Sequence, residues 1–138
     1  MSDTQQRLRR MSDDTILCRQ LVRGESFMQR FRGLMGRATL PEGEGLYLNG
    51  NSIHMMFMRF PIDALFVSKA DGDGRRRVMS VHHDLPTWRG IVLPVRGAEG
   101  VVEMPAGTLA RHAVQEGDEV VMESAADDAA GKSGVSPQ

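Results

Sequence analysis

The chain has 138 residues, enough for one domain that buries a real hydrophobic core. Its 17 basic and 18 acidic side chains nearly cancel to a formal net charge of -1, which argues against a surface dedicated to nucleic acid or to acidic membranes. Cys18 is the single cysteine, so an intrachain disulfide and a cysteine-based zinc site are both excluded.

Residues 1–14 are polar and without periodicity, and read as a disordered arm. No apolar stretch follows Arg7, Arg9 and Arg10, so the arm is not a signal peptide. No run approaches the ~20 apolar residues that span a bilayer, and the expected compartment is the cytoplasm. Met11 stands just before the first predicted strand and is a candidate alternative start. A single domain is expected over 15–123 and a disordered tail over 124–138. Residues 15–22 (TILCRQLV) are partly β-branched and predict a first strand. From Gly24 the pattern turns helical: Phe27, Met28, Phe31, Leu34 and Met35 share one face, and Gly36 and Pro41 end it. A loop over 41–45, a short strand over 46–48 and an Asn49-Gly50 turn follow.

The stretch 52–67 is the most apolar of the chain, yet it carries His54, Arg59 and Asp63. Pro61 has no N–H for a ladder, so this stretch is read as two extended segments, 53–60 and 62–67, bent at the proline. Asp71-Gly72-Asp73-Gly74 is a hairpin loop rather than a calcium loop, since the further acidic ligands are missing. The return strand is expected over 76–82, with Arg75, Arg76 and Arg77 forming a solvated start. Trp88 sits in a loop over 85–90, and strands follow at 90–95 and 100–104. A short helix over 108–114 with Thr108 as its N-cap, a turn at 116–118 and a last strand over 119–123 complete the domain. Many short strands without strand–helix alternation predict a mainly β fold: one compact β-sandwich or barrel of short strands with two short helices.

Polar groups among apolar neighbours are costly unless they find partners or face an opening. Asp63 lies in a run apolar on both strand faces, so its carboxylate needs pairing or hydrogen bonds. One reading has Asp63 tying the Pro61 bend through backbone N–H groups, with Arg59 as counter-ion. The other has Arg59, Asp63 and His54 lining a pocket, as clustered titratable groups do at functional sites. His82-His83-Asp84 is a second polar group, and alternation allows only one of the two histidines on a given face. The histidine spacing matches no metal motif, so no metal or other cofactor is expected. Met56 and Met58, with Met55, Met28 and Met35, are either adaptable core or an adaptable binding surface. Trp88 beside Arg89 is a candidate contact. Cys18 has no identifiable activating base.

Phe31-Arg32-Gly33-Leu34-Met35-Gly36-Arg37, Ser52-Ile53-His54 and Phe57-Met58-Arg59-Phe60-Pro61-Ile62-Asp63 resemble the domain of unknown function 192 family. Val101-Val102-Glu103-Met104-Pro105-Ala106-Gly107-Thr108 and Gly117-Asp118 follow in the same order, so the resemblance covers about residues 15–123. It implies a compact, mainly β sandwich or barrel and carries no assigned activity.

Three readings of function stand. The first is a small-ligand module for a polar or anionic molecule, lined by His54, Met56, Met58, Arg59, Asp63 and Trp88. The second is an accessory protein that docks a partner protein through a Met/Trp surface. The third is an enzyme of unknown reaction, with His54 as base and Asp63 as its orienter.

Overall fold

The computed structural model describes residues 5–23, 41–50, 53–54, 61–86, 91–92 and 94–125. In chain order these form β1 (Gln6–Arg10), β2 (Ile16–Arg23), β3 (Glu44–Asn49), β4 (Ile53–His54), β5 (Ile62–Val67), β6 (Arg75–Leu85), β7 (Ile91–Val92), β8 (Gly100–Pro105), α1 (Thr108–Arg111) and β9 (Glu119–Ser124). Seven strands close a barrel in the order β1-β2-β3-β8-β5-β6-β9, and β4 pairs with β7 in a separate two-stranded sheet. Of the two architectures expected, the barrel is the one formed. Closure leaves no barrel edge unpaired, because β9 returns to β1 over the register Gln6↔Ser124 to Arg10↔Val120.

Alternation sorts the strand residues into two cores. Leu8, Leu21, Tyr47, Leu65, Val67, Val78, Val102, Met104 and Val120, drawn from all seven strands, fill the interior together with Leu109 of α1. A second cluster, Leu46, Ile62, Ala64, Phe66 and Val101, comes from β3, β5 and β8 alone and faces outward. Ile62, Ala64 and Phe66 are nonetheless wholly buried, so this outer face of the barrel is covered. That is why the β5 sequence reads as apolar on both sides.

Residues 6–10 correct the expectation of a disordered arm over 1–14: they are β1, an integral barrel stave. The sequence QRLRR shows no hydrophobic alternation because one apolar side chain, Leu8, is all that the barrel takes from it. Arg7 and Arg9 converge on Glu123 of β9, with Arg9 Nε donating at 2.8 Å, and so hold the flanks of this strand. β1 lies ahead of Met11, so a chain begun at Met11 lacks this stave.

Strands β3 and β6 run longer than expected, whereas the strand expected over 90–95 is formed among the described residues only at β7. The helix expected over 108–114 stops at Arg111, and Ala113 adopts a positive φ of 51° just beyond it. Its N-cap is Gly107, at φ 97°, and not Thr108; the Thr108 hydroxyl instead donates to the Pro105 carbonyl at 2.8 Å. The Asp71 hairpin forms as predicted, its Oδ1 accepting from the N–H groups of Asp73 and Arg75. The helix predicted from Gly24 to Gly36 and the tail beyond Ala125 lie outside the described residues. Among the described residues no helix is long and apolar enough to cross a membrane.

Besides the parallel neighbours β2 and β3, two connections join parallel strands across an intervening strand. β3 and β5 both pair antiparallel with β8 and are therefore parallel to each other, with β8 between them. β6 and β8 likewise flank β5 and are parallel. Each connection must return along the length of a strand, about 17–20 Å, across a face of the sheet. β4 lies in the first connection and β7 in the second, and the two pair with each other at Ile53↔Val92 and His54↔Ile91.

If β1 is a true stave, Leu8→Ala should cost about 2–5 kcal/mol in urea-induced unfolding, as for other wholly buried leucines. A loss below about 1 kcal/mol, the size of a surface effect, would show that the barrel does not depend on β1.

Candidate functional site

Two carboxylates are buried on adjacent strands in opposite situations. Asp63 on β5 follows the interior register of Leu65 and Val67 and has no exposed surface. Its Oδ1 accepts from Asp84 N at 2.8 Å, and its Oδ2 accepts from Gly107 N at 3.0 Å and Leu109 N at 2.9 Å. The amides come from the end of β6 and the turn into α1, not from the Pro61 bend that the sequence suggested. Gly107 and Leu109 belong to the segment that plugs this end of the barrel with Leu109 and Val114. Both oxygens of Asp63 are thus engaged in holding the plug to β5 and β6.

Glu103 on β8 points the other way, in the outward register of Val101. It is only 5% exposed, and among the described residues no donor reaches its carboxyl. Burial alone pushes its pKa up to about 7 from an ordinary 4.5. In the sheet it stands between Leu46 of β3 and Ala64 of β5, and Ala64 in turn faces His82 of β6. Glu103 and His82 are therefore two strand spacings apart, roughly 10 Å, with only a methyl group between them. His82 packs edge-on against Phe66, with ring centroids 5.5 Å apart, and shares a 2.6 Å hydrogen bond with the Ser80 hydroxyl. Burial, chiefly, and the neighbouring His83 hold its pKa below the usual histidine range, with Glu116 opposing them. A buried carboxyl with its pKa raised to about 7 and a half-buried imidazole on one face are groups suited to hydrogen bonding a polar molecule.

Glu103 is the residue that sequence reasoning missed. Its signal was present, an acidic side chain inside Val101-Val102-Glu103-Met104, the same pattern that drew notice to Asp63. His82 and His83 do take opposite environments, half-buried and exposed. His54 is placed on β4 opposite Ile91. Met56, Met58, Arg59 and Trp88 lie outside the described residues. Cys18 is buried, and its thiol is pushed up to about 12 mainly by that burial, so it is not an activated nucleophile. Among the described residues no three His, Cys, Asp or Glu side chains are grouped to hold a metal ion.

The model of the domain of unknown function 192 family, described as "Uncharacterized ACR", matches residues 12–122. The chain belongs to this family. The matched span contains both Asp63 and Glu103 and begins after β1. Among solved structures, the chain is similar to a protein of Sinorhizobium meliloti 1021 described as a candidate transcription regulator: 27% identity, 88% of this chain and 92% of that one covered, TM-score 0.56. It is also similar to a protein of unknown function from Novosphingobium aromaticivorans DSM 12444: 25% identity, 84% of this chain and 82% of that one covered, TM-score 0.60. No curated protein matches.

The two carboxylates should behave differently when changed. Asp63→Ala strands three backbone N–H groups and should cost about 2–4 kcal/mol in chemical denaturation. For Glu103 the folded pKa lies above the unfolded one, so between about pH 4.5 and 7 the folded chain keeps a proton that the unfolded chain has lost. Stability contributed there is present at low pH and lost as pH rises through about 7. Glu103→Gln should remove that slope, worth roughly 3 kcal/mol by pH 8, and unfolding curves taken across the window would read it.

Proposed function

We propose that this protein is a binding module for a small polar or anionic ligand, with its site on the outer face of β5 and β8 and Glu103 at its floor. The observation that carries this reading is the buried Glu103 carboxyl without a donor among the described residues. An unsatisfied buried carboxyl costs stability and is retained where something is to meet it.

Topology supports bringing the sequence-predicted residues to the same face. The barrel interior is packed, so the β3-to-β5 and β6-to-β8 connections are left the outer side of the sheet. The two connections run in opposite directions, and a half-turn about an axis between β5 and β8 interchanges them. A right-handed crossover, the rule for parallel strands, then puts both on one face. The β4–β7 pairing agrees with this. His54, Met56, Met58 and Arg59 belong by sequence to the first connection and Trp88 to the second, and these five are the proposed partners of Glu103 and His82 in the site. Arginine and histidine among them suit the polar or anionic part of a ligand, and methionine and tryptophan suit its apolar part.

The enzymatic reading needs Asp63 to orient His54, but Asp63 faces the interior with both oxygens taken by backbone amides. A regulator that binds DNA, as the description of one relative suggests, would need clustered positive charge. Here the net charge is -1, and Arg7, Arg9, Arg10 and Arg76 are paired with carboxylates.

A thermal-shift screen of small polar metabolites tests the proposal. A compound present at about a hundred times its Kd adds about 2.7 kcal/mol to stability, a rise of roughly ten degrees in Tm. Hits should lose that effect in Glu103→Gln and in His54→Ala. Hits that stabilise both variants as well as the parent, or a broad panel without a hit, would count against the site.

A further inference from the structure

On the other side of the barrel, β2, the loop before β3 and α1 enclose a cleft of about 230 Å³ whose lining includes Arg19, Glu42, Gly43, Thr108, Arg111 and His112. None of these residues belongs to the site proposed above. Arg19 projects from β2 with no acceptor for its guanidinium among the described residues. It lies flat on the backbone of Gly43: a Cβ at that position would come within 2.7 Å of its terminal nitrogen. Gly43 also has φ 85°, so the loop is doubly suited to glycine, and its bare backbone is what lets Arg19 lean across the cleft. Facing it, Arg111 of α1 touches Glu42 at 3.2 Å in a pair whose side chains are 50% and 73% exposed. Such an exposed pair is weak and exchangeable. The His112 segment is fixed by its own carbonyl, which accepts from Arg10 at 2.8 Å. Thr108, buried at the lining, is fixed through its hydroxyl to Pro105.

Two guanidinium groups from separate elements line one cleft, and among the described residues one has no acceptor and the other only an exposed carboxylate, so together they form a fork for an oxyanion. We propose that this cleft binds a small dianionic oxyanion of the phosphate type between Arg19 and Arg111, with Glu42 as an internal competitor for Arg111. Ligand and Glu42 carboxylate exchange on the same guanidinium, so removing the carboxylate frees the site.

Titrating inorganic phosphate into the full-length protein, with chloride at matched ionic strength as control, tests this by amide NMR shifts. Saturable shifts are expected at residues 16–19, 42–43 and 108–112. Arg19→Ala and Arg111→Ala should each weaken binding by about tenfold or more, the loss of one charge-assisted contact. Glu42→Gln should tighten it by about two- to threefold. All three side chains are exposed, so the variants keep the fold, which their melting curves verify. Arg75→Ala, an exposed arginine elsewhere, should leave binding unchanged. Shifts that grow without saturating, equal weakening by Arg75→Ala, or weaker binding in Glu42→Gln would each overturn the proposal.

Discussion

One carboxylate fastens the end of the barrel on which the rest of the architecture is built. Asp63 receives three backbone N–H groups from two chain segments that are distant in sequence, the end of β6 and the turn into α1. A barrel of short strands has open ends, and its interior side chains need a lid there. α1 is too short to hold itself in place by its own hydrogen bonds, for a helix of one turn is far below the length that is stable alone. Leu109 and Val114 supply the apolar part of the plug, and Asp63 supplies its fixed position. At the opposite end Arg76 does related work by other means. Its guanidinium donates to the Tyr47 hydroxyl at 3.2 Å, the Ser68 carbonyl at 3.1 Å and Glu99 at 2.9 Å.

Closing the barrel has a second consequence, felt on its outside. With β8 inserted between β3 and β5, and β5 between β8 and β6, two connections must travel back across the sheet. The outward side chains of β5 and of most of β8 are buried accordingly, the carboxyl of Glu103 among them. The outer face of β5 and β8 is therefore covered, where an ordinary barrel wall would face water. Glu103 is the one charged side chain that β8 turns toward that covered face.

These features differ in how plainly the sequence announced them. β5 is legible because its run is apolar at every position but Asp63, and the Asp71 hairpin because its second Asp-Gly pair supplies the positive φ at Gly74. β1 was not legible, since a strand that contributes one leucine and is held by Arg7 and Arg9 to Glu123 is indistinguishable from a solvated basic arm until β9 is beside it. The extent of α1 was misjudged for a similar reason: Ala110 to Val114 has good helical propensity, and tertiary packing overrides it by turning Ala113 to positive φ so that Val114 enters the core. At the candidate site, the polar character of Asp63 is visible, but not its partners, which are backbone groups 21 to 46 residues away.

The contrast between Asp63 and Glu103 gives the sharpest reason to look for function on the outer face. Both are carboxylates on neighbouring strands, both are enclosed, and the two sit at Asp63↔Met104 and Ala64↔Glu103, adjacent rungs of one ladder. The fold has spent three amides on the first and, among the described residues, none on the second. If enclosure were merely an accident of the barrel, both would be equally poorly served, or both replaced by apolar residues at a gain in stability. A satisfied carboxylate holds its neighbours in place and has no capacity left for a ligand. An unsatisfied one, with its pKa raised to about 7, retains both a proton to give and lone pairs to receive near neutral pH. The two carboxylates thus occupy opposite faces of the same pair of strands, Asp63 tied to backbone amides inside the barrel and Glu103 without a donor among the described residues on its covered outer face.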